Sequence, residues 1–252
     1  MRQFNVIVTA GGTSEPIDNV RRIANTGTGR LGSLIADAFA REEDAGEIFY
    51  VCARDSIRPA SEHIRCVTVQ SVADLEKAVT ELMGAHRIDA VIHSMAVSDY
   101  TVRAVSTAEK LSEALGSGAL PPTAEDVERA MDATDVRSAA GKLSSRMGSP
   151  VLLLQQTPKI LPMFRRNLPE AVIVGFKLLS GVSREELMQV AGALLTKNGC
   201  DFVLANDAAE IHGDEHHALL LDRQGAVVNE MYTKQEIAET IVKTVSEVLK
   251  AR

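Results

Sequence analysis

The sequence lacks the features that would assign it to a membrane, a nucleic acid or an oxidising compartment. Its 252 residues carry a formal net charge of −7, whereas a protein that binds duplex nucleic acid or an anionic membrane usually has a basic surplus. No run approaches the roughly 20 apolar residues of a membrane span, and the short N-terminal apolar run ends in glycines instead of a signal-peptide cleavage site. These absences predict a cytoplasmic protein without membrane or nucleic-acid partners.

Cysteine is scarce as well. Cys52, Cys66 and Cys200 are too few and too widely separated for a disulfide framework. The first two lie in predicted strands and the third just before one, so all three are expected to be buried, reduced thiols. What is present is an ordinary globular balance, 45% hydrophobic and 24% charged, which can support a sizeable core.

Short apolar runs alternate with amphipathic segments along the chain. Strands are predicted over 4–10, 47–53, 63–69, 171–178 and 201–207, a strand that runs into a loop over 89–100, and a strand or buried helix turn over 150–156. Helices are predicted to end near Arg41 and to span 71–84, 158–167, 183–198 and 233–250. The alternation predicts one α/β domain, 1–252, with a doubly wound, mostly parallel Rossmann-like sheet. Residues 217–231 predict a C-terminal β-hairpin. The polar residues 13–28 predict a long loop, and 101–141, poor in apolar residues, an inserted flap or lid.

A glycine cluster, Gly27-x-Gly29-x-x-Gly32, precedes the first predicted helix. Its pattern is that of a dinucleotide-binding fingerprint, which predicts an NAD(P)-dependent reductase. The first glycine of that fingerprint, however, directly follows the first strand, whereas Gly27 comes 17 residues after Ala10. The chain also has no Tyr-x-x-x-Lys pair, so the common short-chain reductase chemistry lacks its acid. The reductase therefore stays as an alternative.

The same cluster can serve a different phosphate. A helix N-terminus offers backbone N–H groups and the positive end of the helix dipole, and Thr28 adds a hydroxyl. Two further interpretations remain open at this point: a non-catalytic nucleotide-binding regulator, and a tight turn with a threonine N-cap and no ligand.

The longer segment TAGGTSEPIDNVRRIANTGTGRLG, 9–32, resembles the phosphopantothenoylcysteine synthetase family, also called phosphopantothenate–cysteine ligases. Further similar segments follow in the family's order: MAVSDY (95–100), GKLSS (141–145), QQTPKIL (155–161), VGFKLLSG (174–181) and KNGCDFVLAND (197–207). They span nearly the whole chain except 101–141. The resemblance is to the stand-alone type, without a fused decarboxylase domain, so no flavin is expected.

The resemblance implies a ligase that joins 4′-phosphopantothenate to L-cysteine in coenzyme A biosynthesis. A nucleoside triphosphate, with CTP favoured over ATP, first activates the carboxylate as an acyl-nucleotide and releases pyrophosphate. The cysteine amine then displaces the nucleoside monophosphate. The protein has to gather and neutralise several anionic groups, and Mg²⁺ is expected to enter with the triphosphate. The resemblance also implies a homodimer, for which the 217–231 hairpin is a candidate partner surface.

The resemblance assigns roles to individual residues. Asn25 matches the asparagine that handles the acyl-nucleotide, and Arg21 the arginine near the pantothenate end; Arg22 replaces what is often an aromatic residue. The implied substrate-binding residues are Arg21, Arg22, Asn25 and Ala96. The implied nucleotide-binding residues are Gly11, Gly12, Thr13, Thr28, Gly29, Gly32, Ser94, Met95, Asp99, Pro158, Lys159, Ile160, Leu161, Phe176 and Lys197. Purely structural roles remain as alternatives: an Asx turn for Asn25, a turn cap for Asp99 and ordinary core packing for Phe176.

A lysine in a mobile loop completes the implied catalytic set of Asn25, Arg21 and Lys142. Lys110 is the other candidate, but the distance from Lys142 to Pro158 fits the family pattern better. Ala193 stands where bacterial members often carry a second phosphate-binding lysine.

The histidine-rich segment HGDEHH, 212–217, lacks the ligand spacing of a zinc site. We expect a solvated loop there and no metal held by protein ligands alone.

Overall fold

The computed structural model describes residues 3–116, 121–137 and 141–252. In chain order the strands are β1 Phe4–Ala10, β2 Ser14–Pro16, β3 Arg22–Ala24, β4 Ala45–Ala53, β5 Ile64–Val69, β6 Ala90–His93, β7 Tyr100–Thr107, β8 Pro150–Gln156, β9 Val172–Leu179, β10 Phe202–His212, β11 Glu215–Leu221 and β12 Val227–Thr233. The helices are α1 Arg30–Phe39, α2 Val72–Ala85, α3 Ala108–Gly116, α4 Ala124–Ala133, α5 Leu161–Asn167, α6 Arg184–Asn198 and α7 Lys234–Lys250.

The described residues divide into two compact units. The large unit contains the chain up to Thr13, then Thr26–Val97 and Lys159–Arg252. The small unit contains Ser14–Asn25 and the described part of Ser98–Pro158. The chain therefore leaves the large unit twice and returns to it twice. That residues 1–252 form one domain stays a prediction.

The large unit is built on one sheet, which has eight strands among the described residues, in the order β12-β11-β10-β9-β6-β1-β4-β5. Strands β5, β4, β1, β6, β9 and β10 run parallel, and β11 and β12 close the sheet with antiparallel pairing. One core packs α1 and α7 on one face, and a second packs α2, α5 and α6 on the other. Coverage of both faces explains why β6 and all of β1 except Asn5 are buried. The predicted doubly wound sheet and its C-terminal hairpin are confirmed.

Local sequence sets the helix starts. Ser71 and Thr233 begin α2 and α7 as N-caps, each in a capping box with the acid three residues later. The helix predicted from Pro158 begins instead at Leu161, with Pro162 in its first turn. Proline is tolerated there because first-turn N–H groups have no partner inside the helix.

The small unit contains regular strands and helices in two regions for which the sequence predicts irregular structure. The predicted loop 13–28 contains the antiparallel pair β2–β3, and the predicted flap 101–141 contains most of β7 together with α3 and α4. Its residues 117–120 and 138–140 lie outside the described residues. Strand β8 pairs with β7 and not with the main sheet, and Leu152 and Leu154 on it are 37% and 41% exposed.

The cysteine prediction is partly wrong. Cys52 and Cys200 are buried, but Cys66 is exposed because β5 is an edge strand of the sheet. In the ranges that the structure describes, no helix is long and apolar enough to cross a membrane.

Candidate functional site

The glycine loop Thr26–Gly29 lies directly against the end of β1. A β-carbon added at Gly27 would lie 2.7 Å from the carbonyl oxygen of Gly11, so two stretches of backbone meet here. The 17-residue separation in sequence is therefore not a separation in space, because residues 14–25 belong to the small unit. The sequence spacing still departs from the dinucleotide-binding fingerprint, although Gly27 lies beside the strand end in space.

Helix α1 begins at the glycine loop without a side-chain cap. Gly29 is the N-cap, with φ of 77°, a left-handed conformation that favours glycine. As a glycine, the N-cap residue makes no side-chain hydrogen bond to the helix, and among the described residues the first turn holds no acid. Thr28 is not the N-cap, although its Oγ1 accepts a long hydrogen bond of 3.4 Å from the N–H of Arg30. The arrangement leaves the helix N-terminus suited to an anion.

The sequence interpretation missed the residues that support this loop. Tyr50 Oη lies 2.7 Å from the carbonyl oxygen of Ile57 and 3.2 Å from that of Gly29, and burial raises the pKa of Tyr50 above its usual value. The Ile57 N–H donates to the Thr28 carbonyl at 3.0 Å. Ser56 Oγ is buried and has no hydrogen-bond partner among the residues that the structure describes. The sequence did offer one signal: Tyr50 lies in a predicted buried strand, and a buried tyrosine hydroxyl needs a hydrogen-bond partner.

The end of β6 is fixed to the end of β1. Ser94 Oγ donates to the Thr9 carbonyl at 2.6 Å, and the Ala96 N–H donates to the Gly11 carbonyl at 2.8 Å. The Thr13 N–H donates back to the Ala96 carbonyl at 3.0 Å. Met95 is buried beside them, whereas Ala96 is exposed. The structure thus brings together the predicted residues of three segments: 11–13, 26–32 and 94–96.

His93 lies under this edge and was also missed. Its Nδ1 lies 2.8 Å from Thr9 Oγ1, and its ring meets Phe164 edge-on with the ring centroids 5.3 Å apart. Burial lowers the pKa of His93 to about 4. The side chain is therefore neutral at pH 7 and is a structural part of the strand end.

The segment after the small unit packs into the large unit's core. Ile160 is buried and Leu161 is half-buried among the core residues of the α2, α5 and α6 face, whereas Lys159 is exposed. Pro158 is the last residue of the small unit and is exposed. Phe176 lies inside β9, within the predicted strand, and packs half-buried on the opposite core.

Lys197 lies near the amino ends of the parallel strands, on the side of the sheet opposite the glycine loop. It is in the last turn of α6, a helix that starts after the carboxyl end of β9 and ends before the amino end of β10. The carbonyl of Ile173, at the start of β9, accepts from the N–H of Asp201 just beyond the helix. The structure does not bring Lys197 to the glycine loop, which lies at the carboxyl edge.

The remaining predicted residues belong to the small unit. Arg22 starts β3, Arg21 precedes it and Asn25 follows it, five residues before α1; all three are exposed. Asp99 is exposed, and its carbonyl accepts from the Thr157 N–H at 3.0 Å. In this unit the hairpin supplies two guanidinium groups and an amide, the residue types that bind carboxylate and phosphate.

The two lysine candidates differ in their surroundings. Lys142 is exposed between Gly141 and the buried Leu143. Lys110 is exposed in the first turn of α3, where its N–H donates to Thr107 Oγ1 at 3.3 Å.

Two histidine side chains of the histidine-rich segment are engaged in hydrogen bonds. His216 Nε2 accepts from Asn206 Nδ2 at 2.9 Å, and His217 lies between Glu210 and Glu230 at 2.5 and 2.7 Å. The expected solvated loop is short, since β10 ends at His212 and β11 begins at Glu215. Across the described ranges, no three His, Cys, Asp or Glu residues form a group that would hold a metal ion.

Comparisons with known proteins agree on one family. The model of the DNA/pantothenate metabolism flavoprotein C-terminal domain matches residues 1–120 and 130–249. The crystal structure of the DNA/pantothenate metabolism flavoprotein from Streptococcus pneumoniae is similar, with a TM-score of 0.81 and 30% identity, over 97% of this chain and 99% of that chain.

Curated relatives are longer than this chain. It is 27% identical over 244 residues to the coenzyme A biosynthesis bifunctional protein CoaBC of Thermococcus kodakarensis, covering 97% of this chain and 51% of that protein. The CoaBC protein of Methanocaldococcus jannaschii is 29% identical over 247 residues, with 98% and 51% covered. The chain thus spans about half the length of these relatives. A Cab2 mutant in complex with phosphopantothenate-cysteine shares the fold at 15% identity, with a TM-score of 0.67 over 99% of this chain and 89% of that one.

Proposed function

Because the chain belongs to the family of the DNA/pantothenate metabolism flavoprotein C-terminal domain, we propose that it is a phosphopantothenate–cysteine ligase. The observation that carries the proposal is the N-terminus of α1, which begins at a glycine N-cap and is held by the glycine loop against the ends of β1 and β6. Such a terminus favours phosphate groups. The S. pneumoniae structure shares this fold at 30% identity, and the CoaBC relatives are named for coenzyme A biosynthesis.

The reaction needs an activated carboxylate and a restrained triphosphate. Residues 11–13, 26–32 and 94–96 would bind the nucleotide, which we propose is CTP in preference to ATP. Arg21 and Arg22 would bind the anionic acid, Asn25 would hold the acyl-nucleotide through uncharged hydrogen bonds, and Lys142 would neutralise charge that develops as pyrophosphate leaves. The cysteine amine then displaces the nucleoside monophosphate.

Mg²⁺ fits this arrangement as a partner of the triphosphate and not as a resident ion. The described residues offer no cluster of three ligating side chains, and Mg²⁺ bound to phosphates needs few protein ligands. When bound, the ion offsets the negative charge of the phosphates, while Arg21 and Arg22 orient the phosphopantothenate.

A homodimer in the cytoplasm is the assembly we propose. Strand β12 is an edge strand, and Val228 and Tyr232 on it are 44% and 60% exposed. Exposed apolar side chains on a strand edge favour pairing with another chain.

Pyrophosphate release tests the function. The chain is incubated with 4′-phosphopantothenate, L-cysteine, Mg²⁺ and either CTP or ATP, and pyrophosphate is measured. We expect release that depends on phosphopantothenate, and a product containing cysteine. An NAD(P)-dependent reductase is the competing function, since Gly27 does lie at the strand end in space. No turnover together with tight NADPH binding would reject the ligase in its favour.

A further inference from the structure

Asp18 is a hydrogen-bonded carboxylate at the hairpin turn of the small unit. Its Oδ1 accepts from the N–H groups of Val20 and Arg21 at 2.8 and 2.6 Å, and its Oδ2 accepts from the N–H of Leu143 at 3.0 Å. The Arg21 guanidinium adds a contact at 3.4 Å. The Asp18 side chain is only 3% exposed, and the hydrogen bonds from Leu143 and Arg21 lower its pKa to about 2.

The two oxygens of Asp18 serve different segments. Oδ1 stabilises the turn between β2 and β3, a local Asx arrangement. Oδ2 reaches across 125 positions of sequence to the backbone of Leu143. The carboxylate therefore joins the hairpin to the loop around Lys142.

A second tether holds the other side of Lys142. The Asn19 N–H donates to the Gly141 carbonyl at 2.7 Å. Gly141 has φ of 83°, and a β-carbon there would lie 1.9 Å from Asn19 Nδ2, so only glycine allows this approach. Both neighbours of Lys142 are thus bonded to the hairpin turn.

Leu143 anchors the same loop by packing. It is buried with Val102 and Val105 in the small unit's core, and its carbonyl lies 3.4 Å from Arg21 Nη2. Lys142 itself is exposed. Its backbone is therefore fixed beside Arg21, while its side chain remains available.

We propose that Asp18 is a positioning residue of the ligase, which holds Lys142 and Arg21 on adjoining segments so that both act on one substrate. This inference rests on the proposed function. Asp18 does not touch substrate in this role, because its oxygens are already bonded and buried. A lysine whose backbone is fixed in advance loses less freedom when it engages an anion.

Asp18→Asn separates the two roles of the carboxylate. The amide oxygen still accepts from Val20 and Arg21, but the amide nitrogen cannot accept from the Leu143 N–H. We expect kcat for pyrophosphate release to fall on the order of 10²-fold, with a smaller change in KM for the triphosphate. Hydrogen exchange at the Leu143 amide should accelerate at least about tenfold.

A double-mutant cycle shows whether Asp18 acts through Lys142. In a Lys142→Ala background, Asp18→Asn should cost less than about threefold further in kcat. An equal loss in both backgrounds would reject positioning through Lys142. Asp126→Asn is the matched control, because Asp126 also accepts backbone and side-chain hydrogen bonds in the small unit, at the start of α4; its kcat should stay within about twofold of the parent.

The outcomes distinguish this inference from the proposed function. A parent chain that releases no pyrophosphate would reject the ligase and the role of Asp18 in it. An active parent whose Asp18→Asn variant keeps full kcat and slow Leu143 exchange would reject only the tether. If Asp18→Asn does not fold, Gly141→Ala displaces the same loop from its other side and should lower kcat similarly; unchanged kcat would then overturn the inference.

Discussion

At the scale of single residues, buried polar groups hold the ends of strands in place. His93 is one of them, wedged between Thr9 and Phe164. Because burial lowers the pKa of His93 to about 4, folding and protonation of this ring compete. The same competition applies to His216, whose pKa is lowered to about 4 by burial and by the charges of Lys234 and His217.

The free energy of unfolding should therefore fall in mild acid. The unfolded chain takes up a proton at His93 below about pH 6.5, whereas the folded chain resists it until about pH 4. Stability is complete above pH 6.5 and declines as the pH falls, by about 2 kcal/mol from this residue between pH 7 and pH 5. Urea unfolding at several pH values measures the slope.

His93→Asn is the control for that slope. It keeps a polar group beside Thr9 but does not titrate. The variant should be less stable at pH 7 through lost packing, yet lose less stability on acidification. A slope equal to that of the parent would show that His93 is not responsible.

At the scale of elements, the glycine loop packs so closely on the end of β1 that Gly27 has no room for a side chain. Gly27→Ala would place a methyl group 2.7 Å from the Gly11 carbonyl oxygen, and backbone cannot move aside as cheaply as a side chain. We expect a loss of about 1–3 kcal/mol in unfolding free energy and a KM for the triphosphate raised on the order of tenfold.

Gly84→Ala provides the comparison for Gly27→Ala. Gly84 lies in the last turn of α2, and no described atom lies within 4 Å of an added β-carbon, so alanine should stabilise the helix by at most about 1 kcal/mol. Activity should not change. If both variants behave alike in KM, the loop does not shape the nucleotide site.

Sequence patterns predicted the large unit better than the small one. Apolar runs such as β1 are buried on both sides, and burial is what the pattern records. The β2–β3 pair was missed because three-residue strands in a polar segment carry no period. Helix α4 was missed for its low apolar content, although Thr123 and Asp126 form a capping box that the sequence displays.

The site was predictable to the extent that motifs mark loops. Gly11, Gly12 and Ser94 lie together because they follow the parallel strands β1 and β6. Tyr50 and Ser56 were missed because their roles depend on packing against Gly29 and Gly11, which no local pattern shows. Lys197 matched a motif, but a lysine just before a strand in a parallel sheet lies at its amino edge.

At the scale of the whole molecule, the proposed dimer makes β12 the surface to test. Val228→Lys adds a charge to this edge strand and should lower the dimer fraction at micromolar concentration, because an edge lysine opposes strand pairing. Sedimentation velocity measures the change. Cys66→Lys makes the same kind of change on β5, the opposite edge, and should leave the dimer intact. Equal effects, or none from Val228→Lys, would exclude the hairpin as the interface.

The contact between Gly27 and Gly11 makes residues 14–25 a closed excursion from the large unit. The chain leaves the large unit beside Gly11 and re-enters it beside Gly27, and these two residues are in contact. The excursion therefore has no gap to span, and its length is not set by the large unit. Insertions and deletions in residues 14–25 therefore need not disturb the glycine loop, and it is the bonds of Asp18 and Asn19 to the loop around Lys142 that limit what can be exchanged. On the proposed function, the acid-binding hairpin can diverge only together with the Lys142 loop, while the glycine loop keeps its geometry.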